Sequence, residues 1–270
     1  MLRTRIITAV LLLAVLLAVV WSGSQLLFCI VVTAFFAAAA WESLRLFRSP
    51  QPALAAALWC LPLVYLLLRG GPGEVRLLLM LSVALWLIRF APTLKFGLPE
   101  LGRPANRMLS WVYVLSLVGC FLAIASLYRH SALYLLSVMA IVWVADIGAY
   151  FSGKAFGKRK LAPSISPGKS WEGAIGGWLA VLIIAALSTR MPMLADTFAA
   201  HMQRSAGWAG LLLILTLLVA VSVVGDLFES MLKRRIGFKD SSSLLPGHGG
   251  VLDRIDALIP VMPLAALLAL

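Results

Sequence analysis

Long apolar stretches, each closed by a short polar break, recur from one end of the chain to the other. They occupy residues 6–21, 25–41, 52–68, 75–90, 111–128, 132–151, 174–187, 207–224 and 257–270. A helix rises about 1.5 Å per residue and a bilayer's hydrocarbon core is about 30 Å thick, so runs near this length can cross a membrane. In hydrocarbon every backbone N–H and C=O must be paired internally, which a helix achieves within one segment. The pattern predicts an all-α, polytopic transmembrane protein of about nine spans. The last run has fourteen residues, reaches only about 21 Å and carries Pro260 and Pro263. It either starts earlier, near Val251, or fails to cross.

Composition agrees with this layout. The 270 residues are 62% hydrophobic with a mean hydropathy of +0.99, more than one soluble core could bury. A single integral membrane domain over residues 1–270 is expected, with 1–131 mainly scaffold and 132–270 carrying the chemistry. Arg3 and Arg5 ahead of the first run resemble the start of a signal peptide, but no small-residue cleavage site follows. An uncleaved first helix is the expectation. Cys29, Cys60 and Cys120 all lie inside apolar runs without CxxC spacing, so they read as buried thiols.

A net charge of +12 in a soluble protein would suggest nucleic acid, but no aromatic-interleaved basic stripe is present. In a membrane protein Lys and Arg mark the cytoplasmic loops. Sorted by alternate loops, eighteen of the 23 basic residues fall on one side, and Arg69, Arg76, Arg129, Arg190 and Arg204 on the other. That places the N-terminus and the two large polar loops, 152–171 and 225–256, on the cytoplasmic side.

Those loops hold the candidate chemistry. Asp146 sits inside an apolar run, where a carboxylate costs about 2.5–3.5 kcal/mol unless paired or functional; water or Lys154 at the helix end is the mundane partner. In 165-ISPGKSWEG-173, Ser166, Lys169, Ser170 and Glu172 stand in a turn leading into a helix. Hydroxyls, open amides and a lysine suit phosphate oxygens, although positive charge for topology alone would also explain the lysine. It is not a P-loop, because Ala162 and Pro163 stand where the first glycine would be. Asp226, Glu229, Ser230 and Lys233 recur at three- and four-residue spacing and would share a helical face. In 245-LPGHGGVLDRID-256 a Gly/Pro turn carries His248, and Asp253 and Asp256 follow at i,i+3. With Asp226 these carboxylates are the oxygen ligands Mg2+ favours; surface salt bridges to Lys233, Arg234, Lys239 and Arg254 are the alternative.

At Ser230, Lys233, Arg234, Lys239, Asp240, Ser242, Leu245, Pro246, His248, Gly249, Gly250, Asp253, Arg254 and Asp256 the chain resembles the signature of phosphatidate cytidylyltransferases, also called CDP-diacylglycerol synthases. ISPGKSWEG and 146-DIGAYFSGKAFGK-158 are similar to two further family segments. The specific likeness covers residues 143–258; the first half is alike only in hydropathy. Gly168 stands where many members carry Lys, and Ala257 where many carry Ser.

The resemblance implies transfer of CMP from CTP to phosphatidic acid at the cytoplasmic face of a bacterial inner membrane. It implies Mg2+ on Asp226, Asp253 and Asp256, with a second metal or a monovalent cation as a further option, and a homodimer. Asp226, Lys239, Asp240, Asp253 and Asp256 are then the catalytic set. Ser166, Lys169, Ser170, Glu172, Ser230, Lys233, Arg234, His248, Gly249, Gly250 and Arg254 are the substrate-binding set. An ion-coupled transporter would place its carboxylates near mid-span rather than at one edge. A non-catalytic relative that binds lipid or nucleotide would not need these carboxylates intact. The acidic pattern of CDP-alcohol phosphotransferases is not found here.

Overall fold

A computed structural model describes residues 2–269, and they are almost wholly helical. The helices are α1 (Leu2–Ser22), α2 (Gln25–Leu46), α3 (Pro52–Arg69), α4 (Pro72–Leu85), α5 (Ala91–Phe96), α6 (Pro104–His130) and α7 (Ala132–Phe156). After a hairpin of β1 (Lys160–Ala162) and β2 (Ser166–Ser170) come α8 (Trp171–Ser188), α9 (Phe198–Arg235), α10 (Leu252–Ile255) and α11 (Leu258–Ala269). Among the described residues seven helices are long and apolar enough to cross a membrane: α2, α3, the continuous Pro72–Phe96 rod, α6, α7, α8 and α9. This confirms the all-α polytopic class. The run at 6–21 lies in α1, several of whose side chains fall outside the described residues. The run at 257–270 forms only the 12-residue α11, about 18 Å long and short of a hydrocarbon core.

The chain folds as two compact units, Met1–Leu122 with Leu232–Asp256, and Ala123–Met231 with Ala257–Leu270. The first unit has an aromatic core. Tyr113, fully buried, meets Phe47, Trp86 and Phe90 with ring centroids 5.8, 6.3 and 5.5 Å apart. Between α4 and α5 the helix widens into a π turn at Trp86–Phe90. Pro92 explains it: the residue has no N–H to give the preceding turn, and its ring crowds the carbonyl four residues back.

Arg235, at the end of α9, draws the polar edge of this unit together. Its guanidinium donates to the carbonyls of Leu46 and Pro99 at 3.3 and 3.1 Å and to Asn106 Oδ1 at 2.9 Å, and it stacks over Phe47.

In the second unit α7 and α8 pack along their length through small residues. A Cβ on Gly177 would stand 2.3 Å from the Ala145 carbonyl oxygen, and one on Gly148 3.0 Å from Gly177 Cα. Glycines let two backbones approach this closely in a membrane, where packing rather than hydrophobic exclusion holds helices together. At its start α7 is capped by Ser131, which accepts from the Tyr134 N–H at 3.0 Å. Asp196 receives both the Ser131 hydroxyl and His130 Nε2. The side chain of Trp178 on α8 donates to Thr216 on α9 at 2.9 Å.

Helix α9 is interrupted once, at Gly207 with φ +70°. From there it runs through the eighth apolar stretch and onward without a break to Arg235.

Candidate active site

The second unit contains a cavity of about 480 Å³ walled by α7, α8, α9 and the β hairpin. Its polar walls are Asp146, Tyr150 and Lys154 from α7, Ser166, Lys169 and Ser170 from β2, and Asp226 and Ser222 from α9. The local sequence explains the arrangement. Residues 166–170 are the second strand of the hairpin rather than the turn expected there, with Lys160 paired to Ser170 and Ala162 to Ser166. The reversal lies just upstream, between the strands, where Pro163 stands. An extended strand turns alternate side chains the same way, and Lys169 comes to form an ion pair with Asp226. Ser170 ends the strand and caps α8, accepting from the Gly173 N–H at 3.1 Å.

Glu172 lies outside the cavity walls. Its carboxylate accepts from the backbone N–H groups of Lys158 and Arg159 at 3.1–3.3 Å, which ties the start of the hairpin to the start of α8. Asp226 accepts at Oδ1 from the Ser230 hydroxyl at 3.2 Å, because α9 continues as helix and i,i+4 residues share a face.

The rest of the predicted residues belong to the first unit. Leu245 to Gly249 close a tight turn, with the Leu245 N–H on the Gly249 carbonyl at 2.8 Å and positive φ at Gly247 and Gly249, conformations glycine alone adopts at little cost. Lys239, Asp240, His248, Gly249 and Arg254 line a more open cavity of about 650 Å³ around this turn. Arg254 donates to the His248 carbonyl at 2.7 Å. His248 Nδ1 is buried and has no hydrogen-bond partner among the described residues. Arg234 is exposed and, among the described residues, donates to the Phe238 carbonyl at 3.4 Å.

Asp253 points inward from α10. Oδ1 accepts from Lys233 Nζ at 2.7 Å; Oδ2 accepts from the Ser241 N–H and hydroxyl at 2.8 and 2.9 Å and from the Gly250 N–H at 2.7 Å. Burial pushes this carboxyl up, but the Lys233 ammonium and the two N–H donors outweigh it and hold it below the usual carboxylate range. Asp256 is half-buried at the end of α10. Gly250 and Gly249 leave room that a side chain would take: a Cβ on Gly249 would lie 2.7 Å from Asp253 Oδ2.

A model of the cytidylyltransferase family matches residues 3–270. The chain belongs to that family. It is 41% identical to a phosphatidate cytidylyltransferase of Pseudomonas aeruginosa, covering 99% of this chain and 97% of the relative. It is 34% identical to that of Haemophilus influenzae, over 97% and 96% of the two chains. The Bacillus subtilis phosphatidate cytidylyltransferase is also 34% identical, over 97% and 95%. The match therefore extends through the first half, where only hydropathy suggested membership of the cytidylyltransferase family.

Three residues escape a reading of motifs. Glu42 on α2 is fully buried and bonded to the signature loop. Arg235 and Ser241 lie inside the signature stretch at positions outside its fixed pattern. The signal available for Glu42 is a lone carboxylate at the end of an apolar run, the same signal that marks Asp226.

As for a cation, the two carboxylates lining the 480 Å³ cavity, Asp146 and Asp226, supply the hard oxygens Mg2+ requires. Asp253 presents oxygens of the same kind, but Lys233 and three donors from the loop already occupy them. Among the described residues no three acidic, His or Cys side chains gather as a closed metal cage.

Proposed function

We propose that this chain is a phosphatidate cytidylyltransferase, joining CMP from CTP to phosphatidic acid to give CDP-diacylglycerol and pyrophosphate at the cytoplasmic face of the inner membrane. The observation that carries the reading is the cavity that sets Lys169, Ser166 and Ser170 beside Asp226 and Asp146. A phosphate-binding cation and hydroxyls share it with carboxylates suited to a divalent cation. Names of relatives that match nearly end to end supply the substrate class.

The chemistry asks little of a general base. The phosphomonoester of phosphatidic acid, with a second pKa of about 6, is already an anion at neutral pH. One of its oxygens attacks the α-phosphorus of CTP, a new P–O bond forms, and the bond to the bridging oxygen of the β-phosphate breaks. Pyrophosphate leaves with that electron pair. The demands are alignment and neutralisation of crowded negative charge.

Lys169, ion-paired with Asp226, would supply a point cation for nucleotide phosphates. Ser166 and Ser170 donate to phosphate oxygens. Asp226 would hold Mg2+, with Asp146 beside it in the same cavity; Asp253 and Asp256 carry the same assignment by family resemblance. Bound there, the ion would neutralise phosphate oxygens and stabilise the charge of the leaving group. Lys239, Arg254 and His248 offer a second anion-binding surface, for the lipid phosphate or for pyrophosphate.

The test is direct. Protein purified in detergent and given CTP, phosphatidic acid and Mg2+ releases pyrophosphate and forms CDP-diacylglycerol in equal amounts. No release across a range of divalent metals and acyl chains would overturn the reading.

A further inference from the structure

The least expected polar group in the first unit is the carboxylate of Glu42. Its residue is fully buried, on a helix of spanning length, yet it is far from isolated. Oε2 accepts from the Leu252 N–H at 2.6 Å and from the Ser241 hydroxyl at 3.3 Å. Oε1 accepts from the Val251 N–H at 3.1 Å and from the Ser242 hydroxyl. These partners come from the two ends of the segment that contains the Gly/His turn. One side chain from α2 thus closes the loop 241–252 at its base.

The same contacts reach the residues that matter for the proposed chemistry. The Ser241 hydroxyl lies within hydrogen-bond distance of both Glu42 Oε2 and Asp253 Oδ2. It has one proton, so it donates to one carboxylate at a time, while its own N–H stays on Asp253. Gly250 is where the geometry is tightest: a Cβ there would stand 2.0 Å from Ser241 Oγ and 2.5 Å from Glu42 Oε1. The glycine, the serine and the two carboxylates form one interlocked group. Lys233, bonded to Asp253, completes it.

We propose that Glu42 is a positioning residue for cytidylyl transfer: it fixes the base of the signature loop and so holds Ser241, Asp253 and the Gly/His turn in working register. It touches no reacting atom and acts only through this loop. The inference rests on the proposed function for its catalytic consequence, but its structural part stands apart from it. Glutamine is the informative replacement, because it keeps the volume and offers an NH2 where the loop needs acceptors. Four donors point at Glu42, and the amide nitrogen must face two of them.

The experiment pairs hydrogen exchange with kinetics on the full-length protein in detergent. Glu42→Gln should speed amide exchange in residues 241–252 about tenfold or more, the size expected for losing a buried hydrogen bond to a charged group, with α7 and α8 unaffected. It should lower kcat by about tenfold or more while KM for CTP stays within about twofold. Glu42→Asp, which keeps the acceptors, should recover part of both. If Gln yields no folded protein, Ser242→Ala removes one bond of the same set and should show the same signature in smaller measure.

Unchanged exchange in 241–252 overturns the positioning role whatever the activity. Faster exchange with an unchanged kcat overturns the catalytic part alone. An inactive wild-type protein that still shows the Gln effect on exchange refutes the proposed function and leaves Glu42 as the clamp of the loop.

Discussion

The pairing of Lys169 with Asp226 puts a cation and an anion in one cavity. Both side chains are only about a quarter exposed, so removing one leaves the other poorly solvated. Asp226→Asn should cut turnover about 100-fold or more, the scale of losing a dedicated electrostatic group, while expression stays near wild type. A near-normal rate in the pyrophosphate assay would remove Asp226 from the site. Lys169→Gln should instead raise KM for CTP about tenfold.

The sequence made these two residues legible because each stood out chemically from its surroundings: a lysine in a Ser/Pro/Gly stretch, an aspartate directly after a long apolar run. It could not show that Glu172, next to them in the motif, turns its carboxylate to the Lys158 and Arg159 backbone. A carboxylate reads alike whether it meets a ligand or an amide, and only the hairpin's path decides.

Among the elements, the contact of α7 with α8 does most to shape the cavity, since both line it. The close approach at Gly177 leaves no space for even a methyl group. Gly177→Val should therefore force the helices apart, costing about 1–3 kcal/mol as overpacking does, and should lower activity with it. Gly73→Ala, at a position with open surroundings, serves as the control and should leave both properties unchanged. Reversible unfolding in mixed micelles measures the first effect; equal stability of the two variants would refute the packing argument.

Helices themselves were plain in the hydropathy pattern, because twenty apolar residues have few other ways to satisfy their backbone in lipid. The hairpin was not. Its strands are short, its residues are turn formers, and what makes 166–170 extended is pairing with 160–162 and the Glu172 tie, both set by tertiary contacts rather than propensity. The clamp from Glu42 was hidden for a similar reason: a residue some 200 positions from its partners leaves no local pattern to read.

For the whole molecule, the unequal distribution of Lys and Arg makes a statement about orientation. Helix α7 has 25 residues, about 37 Å of rise, so its two ends belong to opposite faces of the bilayer. The cavity is lined by its later half, toward the lysine-rich hairpin. Single cysteines in a cysteine-free background should report the two faces separately. Met193→Cys, in the exposed segment between α8 and α9, should react with an impermeant maleimide added to intact cells, and Lys158→Cys only after the cells are opened. The reverse pattern would invert the assigned topology.

The reach of Glu42 also has a consequence in time. Its bond to the Leu252 N–H joins residues 210 positions apart. At synthesis rates of about 5–20 residues per second, roughly 10–40 s separate the emergence of the carboxylate from that of its partners. During that interval α2 is fully translated yet chemically unfinished, carrying a charge whose cost in lipid favours staying near the bilayer edge or beside the insertion machinery. The ribosome's late delivery of the 241–252 loop is then the event that lets an early helix settle, so biogenesis of this protein closes from its C-terminal half backwards.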